Sequence, residues 1–197
     1  MKKALKSVLW FMFSILLIPA VSSAASLVVE DGELVGARGV IVNGAYYDVS
    51  FIDGSPEAIY TDELGNYVFT FSSDEEAIYA SQALLDQVFL DVYDKEPKLT
   101  LGIESEVFGY AATTYAVDSN YIYSRYAINM SAESVSDDSV LFGPPQRMFH
   151  WVDSTNTDVT VYAKWSVAAV PVPGTLILFS SGLLGIVIAA RKKIRKV

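Results

Sequence analysis

Apolar and polar positions alternate on both sides of Asn43-Gly44. Val40 and Val42 precede the pair; Tyr47, Val49 and Phe51 follow it, with Asp48 and Ser50 between them. A period of two is that of a half-buried strand, and Asn-Gly suits the positive φ angles of a two-residue type I′ turn. The pattern predicts a hairpin pairing Val42 with Ala45 and Val40 with Tyr47, with Tyr47, Val49 and Phe51 on the face of Val40. Asp53-Gly54-Ser55-Pro56 ends it. After Leu64-Gly65-Asn66, alternation resumes at Tyr67, Phe69 and Phe71 and predicts a third strand.

At Ser73 the period changes. Ser73 with Glu76 reads as a capping box, and Asp74 and Glu75 favour the positive end of a helix dipole. Ile78, Ser81, Leu84, Leu85, Val88, Phe89 and Val92 recur at helical spacing, predicting one helix through Tyr93 that Lys95-Glu96-Pro97 stops. Residues 99–117, 121–130, 147–152 and 159–167 are rich in β-branched and aromatic residues and read as strands. The expected fold is α+β: an antiparallel β-sheet with one long amphipathic helix packed on it.

The two ends break this pattern. Lys2, Lys3 and Lys6 precede an apolar run over 8–18 and the small residues Ser22 to Ala25. That order is a secretory signal peptide over 1–24, with cleavage after Ala24, or after Ala25 as second choice; the alternative is an uncleaved anchor. At the other end, Val170-Pro171-Val172-Pro173-Gly174-Thr175 leads into an uncharged stretch, Leu176 to Ala190, and then Arg191, Lys192, Lys193, Arg195 and Lys196. We expect a transmembrane helix over 174–190, its basic stop-transfer cluster held in the cytoplasm. The exported domain is then 25–169, facing the periplasm, and the tail is 170–197.

A proline motif, a short apolar helix and a basic cluster at the C-terminus resemble the PEP-CTERM sorting signal read by exosortases. Val170, Pro171, Pro173, Gly182, Gly185 and Arg191-Lys192-Lys193 carry the likeness; Val172 stands where the family has glutamate, similar to a VPxP-type variant. The resemblance implies a route: signal peptidase, tail anchoring in inner-membrane lipid, exosortase processing, then the cell surface or its exopolysaccharide. Its proline-rich segment stays extended, because proline fixes φ and lacks an N–H.

Charge then sharpens the middle. All 23 acidic residues lie between Glu30 and Asp158, against six basic ones in the exported domain, a net −17 where the whole chain carries −9. Such a domain repels nucleic acid, so no nucleic-acid partner is expected. No Asp-x-Asp-x-Asp-Gly loop is present; Ca²⁺ is the one ion its loop carboxylates at Asp53, Asp62-Glu63 and Asp137-Asp138 suggest, and no other cofactor is expected. The chain has no cysteine and one histidine, His150, too few ligands of the usual kind for a zinc site. Lying between Phe149 and Trp151 in an expected strand, His150 is read as structural. The expectation is a non-enzymatic envelope or matrix protein with no catalytic residues. Two alternatives stand: a carbohydrate-binding module using Tyr121, Tyr123, Phe149 and Trp151, and a glycan hydrolase with a carboxylate pair in a cleft.

Overall fold

Asn43 and Gly44 take φ of 49° and 79°, and the hairpin closes in the expected register, Val42 opposite Ala45 and Val40 opposite Tyr47. This hairpin, β2 (Glu33–Val42) and β3 (Ala45–Ile52), belongs to a much larger sheet. The remaining strands are β1 (Ser26–Glu30), β4 (Phe108–Val117), β5 (Tyr121–Met130), β6 (Ser139–Val140), β7 (Gln146–Phe149) and β8 (Thr160–Val167). Their order is β1-β2-β3-β8-β4-β5-β6, with β7 also on β5. The computed structural model describes residues 24–134, 136–141 and 144–169. The expected signal peptide and the expected helix over 174–190 lie outside those residues. Among the described residues no helix is long and apolar enough to cross a membrane.

The protein is mostly β, an eight-stranded half-barrel, which corrects the α+β expectation. The sheet is also mixed rather than antiparallel: β8 runs antiparallel to β3 but parallel to β4. The helices are short: α1 (Pro56–Tyr60), α2 (Asp74–Gln87) and α3 (Val92–Lys95). The predicted long helix starts where expected, with Ser73 Oγ accepting from the Glu76 N–H, but stops at Gln87. There the Val88 and Phe89 N–H groups both bond the Leu84 carbonyl, and Asp91 takes a φ of 56°. Val88 and Phe89 are buried all the same: the chain turns, and Phe89 stacks on Phe51 at 5.5 Å. Their apolar spacing therefore imitated one more helical turn.

The helix end also finishes the sheet. β1 pairs with β2 only as far as Arg38, which leaves Ile41 without a strand on that side. The Gln87 amide fills the gap: its Nε2 donates to the Ile41 carbonyl at 2.8 Å, and its Oε1 accepts the Ile41 N–H at 2.9 Å. Between Ala37 and Val40, β2 holds one residue more than β3. This bulge places Gly39 at φ 71° with its N–H on Asp48 Oδ1.

Both faces of the sheet are covered. On one, α2 lays Ala77, Ala80, Ala83 and Leu84 against β2, β4 and β5, with Val40, Val49, Ala111, Ala127 and Val161 beneath. On the other, α1 and the segment after it pack Ile59, Tyr60, Tyr67 and Phe69 over Ala112, Ile122, Tyr126 and Tyr162. The third strand expected over Tyr67 to Phe71 does not form: the segment joins no ladder of the sheet and meets α1's end only through a bridge from Thr61 to Tyr67.

Candidate functional site

Two strands set the main exposed aromatic cluster among the described residues. Tyr121 on β5 lies directly opposite Phe149 on β7, which brings their rings to 4.7 Å at 27°. Phe149 stacks in turn on Trp151, at 4.7 Å and 21°. Phe149 and Trp151 are 41% and 54% exposed, well beyond what a core pair shows. Polar groups flank the strip. The Arg147 guanidinium sits 5.8 Å from the Tyr121 ring centroid, and Tyr123, opposite Arg147, donates its hydroxyl to Asp118 Oδ2 at 2.5 Å. That bond and the Asn120 and Tyr121 N–H groups hold the Asp118 carboxyl below its ordinary range.

The strip continues inward. Trp151 meets His150 edge-on at 4.8 Å, and His150 meets Tyr67 at 6.2 Å. Tyr67 stacks on Phe69 at 5.9 Å, Phe69 meets Tyr60 at 5.3 Å, and Tyr60 meets Tyr162 at 6.0 Å. A continuous line of rings thus runs from solvent into the core. Two polar atoms along it, the Tyr67 hydroxyl and His150 Nδ1, are buried without a hydrogen-bond partner. Glu57 Oε2 stands 3.9 Å from that nitrogen. Burial first, and then the Glu57 charge, raise the Tyr67 hydroxyl.

The expected aromatic pairs are thus brought together differently from their sequence spacing. Tyr121, Phe149 and Trp151 form one stack, while Tyr123 turns to Asp118. A cross-strand pairing of Tyr121 with Phe149 could only have been found by knowing the β5–β7 register.

Other groups suited to chemistry are committed to the fold. The buried Ser154 hydroxyl donates to the Asp53 carboxylate and accepts the Gly54 N–H at 3.0 Å, tying the end of β3 to the loop before β8. His150 faces Glu57 and Tyr67, so serine, histidine and aspartate do not assemble as a relay. Asp74, at the start of α2, takes a two-point ion pair from Arg125: Nε to Oδ1 at 2.6 Å and Nη2 to Oδ2 at 2.5 Å. This bond lowers Asp74, while burial and Asp74 push the Tyr115 hydroxyl up to about 12.

The suggested Ca²⁺ ligands are dispersed. Asp62 Oδ1 accepts the Leu64 and Asn66 N–H groups of its own turn, and Asp138 Oδ1 accepts the Met130 N–H at 2.6 Å. Burial and the neighbouring Asp94 raise Asp138 to about 6. Among the described residues no group of three or more metal-binding side chains exists. Ala24, the first-choice cleavage position, is exposed; Ala25 packs against the helix-side core.

The last described residues complete the site's context. β8 ends at Val167, and the Ala168 N–H still bonds the Tyr46 carbonyl, so the domain runs directly into the proline motif. The described residues form a β-rich domain that ends where the proline motif begins. A family model described as the PEP-CTERM protein-sorting motif matches residues 169–195, a range that takes in Val170 to Gly174 and Arg191 to Arg195. The chain carries this signal, and with it the standing of an exported protein, anchored in the membrane at its C-terminus and processed by an exosortase. No curated protein and no solved structure matches the chain.

Proposed function

We propose that the domain is a non-enzymatic component of the cell surface or its matrix, delivered through the sorting tail and retained by exopolysaccharide. The observation that carries the glycan contact is the Tyr121–Phe149–Trp151 strip, exposed beside Arg147 and Asp118. Aromatic rings offer a large, stiff, amphipathic contact at little entropic cost, which suits the C–H faces of sugars. The non-enzymatic reading is supported by the structural commitment of Ser154, Asp53 and Asp74.

Binding of the tail-less domain to exopolysaccharide tests the strip. Trp151→Ala should weaken retention about tenfold, the loss of roughly 1.4 kcal/mol of aromatic contact, with the unfolding transition unchanged. Equal retention by wild type and a Tyr121/Phe149/Trp151 triple alanine variant would sink the glycan contact. For the route, intact-mass measurement should find Arg191 to Val197 missing from the mature protein only in cells that hold an exosortase.

A further inference from the structure

The way both chain ends leave the sheet bears on how the anchored precursor meets its membrane. β8, which enters the tail, ends beside the start of β3, with Val167 opposite Tyr47 and the Ala168 N–H on Tyr46. The Asn43-Gly44 tip lies just beyond that row. At the other side of the hairpin, β1 begins at Ser26 opposite Arg38, so its preceding residues point toward the same end. Ser26 and Ser166 are separated by the three strand spacings from β1 to β8, about 14 Å at ~4.8 Å each. The N-terminal arm and the sorting tail therefore leave side by side.

That end is chemically unlike the rest of the domain. Residues 24–29, 39–47 and 165–169 contain no charged side chain, in a domain that holds all 23 acidic residues of the chain. The nearest carboxylate on the β3 ladder, Asp48, lies one residue behind Tyr47 and accepts the Gly39 N–H. Asn43, Gly44, Ala45 and Val167 are exposed, and Tyr46 and Tyr47 are half-buried. Tyrosine is a residue that membrane–water interfaces favour. Six residues, 170–175, separate this end from the apolar stretch that begins at Leu176. Fully extended they span about 20 Å, less than the width of a small domain.

We propose that the anchored precursor stands end-on upon the bilayer, its uncharged end of hairpin tip, β1 start and β8 end docked against the lipid headgroups. Most of the carboxylates lie away from that end, where an anionic leaflet repels them least. Asp118, in the β4–β5 turn that the parallel β4–β8 pair brings to the same end of the sheet, and Asp86, beside Gln87 at Ile41, stand at its margin. The inference rests on the C-terminal anchoring and not on the glycan contact.

The chain has no cysteine, so single-site labels report position cleanly. The full chain, reconstituted in phosphatidylcholine vesicles containing a minority of phosphatidylglycerol and a nickel-chelating quencher lipid, is labelled at Ala45→Cys or at Glu33→Cys. Ala45 and Glu33 are both exposed, near opposite ends of β2 and β3. Vesicle flotation that resists alkaline extraction establishes anchoring separately, so a failure to insert is not confused with a failure to dock. The label at Ala45→Cys should be quenched several-fold more strongly than that at Glu33→Cys. Equal quenching in anchored protein would overturn the orientation. A flexible Gly/Ser spacer between Ala169 and Val170 frees the domain from the short tether; a docked end keeps the contrast, and its disappearance would overturn docking. Contrast that arises only when an exosortase is reconstituted as well would overturn lipid as the partner. Val167→Glu, at an exposed position, should reduce the quenching at Ala45→Cys.

Discussion

The two faces of the sheet are filled in opposite ways. Under α2 the contact is made by small side chains, Ala77, Ala80 and Ala83 above Ala111 and Ala127, so helix and strands approach closely, and an ion pair from buried Arg125 to half-exposed Asp74 fixes the helix start. The opposite face has no long element over it. There Tyr60, Tyr67, Phe69, Tyr126 and Tyr162 fill the space with rings, and burial raises the Tyr60 and Tyr162 hydroxyls far above the ordinary phenol range and that of Tyr126 to about 12. A face covered by a helix is demanding about volume. A face covered by irregular chain is demanding about ring shape and hydroxyl partners instead.

Arg125→Ala should break the helix face most severely. Arg125 is 4% exposed and also donates to the Leu141 carbonyl; removing it opens a cavity and takes a donor from that carbonyl, while half-exposed Asp74 turns to water, for a loss of about 2–4 kcal/mol in denaturant unfolding. A loss below about 1 kcal/mol would erase the distinction drawn for this pair. Next in size, Ala80→Leu should cost about 1–3 kcal/mol, because Ala80 is fully buried and the neighbouring strands cannot retreat. A thermal melt with no shift would mean the alanine contact is loosely packed. On the ring face, Tyr60→Phe keeps the ring and loses the hydroxyl's bonds with the Ala163 carbonyl, 3.3 Å long, and with Thr114. About 1 kcal/mol is expected, and a loss as large as that of Ala80→Leu would reverse the comparison.

The smallest effect is in pH. Asp74 is lowered by Arg125, so its stabilisation is present above the ordinary aspartate range and is lost as pH falls through the lowered value. Asp138 has the opposite sign. Raised to about 6 by burial, by Asp94 and by Asp137, it is easily tolerated when protonated, and the fold loses stability as pH climbs from about 4 to about 6. Solvent screening keeps that loss on the order of 1 kcal/mol. Asp138→Asn, which retains an acceptor for the Met130 N–H, should remove this loss at pH 7 and change little at pH 4. An unchanged pH profile would show that Asp138 ionises freely.

Local grammar was well written in the chain. The hairpin register followed from Asn43-Gly44 and the alternation around it, and the start of α2 from Ser73. The strand predicted over 121–130 is β5 itself. What could not be read was long-range. Val88 and Phe89 are apolar because they enter the core after the helix ends, and spacing alone does not separate the two cases. Leu99 to Val107 is a turn of 3-10 helix and loop rather than strand, with Gly102 at φ 79°. β1 and β6 were unread as strands, and so was the parallel pairing of β8 with β4, since nothing local marks a strand's neighbour. The same ignorance hid the aromatic stack: its residue types were visible, its register was not.

The central place of β8 also sets the order in which the molecule comes into being. Tyr47 must wait for Val167, and the pairing of β3 with β8 and of β8 with β4 joins the two halves of the sheet. Until the last strand has been synthesised and translocated, β1 to β3 and β4 to β7 meet chiefly through α2 and the Leu34–Thr100 bridge, each with an unfinished edge. Such a non-local topology folds slowly, which keeps the chain threadable during export. The tail that follows within a few residues then holds the newly completed chain at one membrane, apart from its neighbours' open edges, for as long as closure takes.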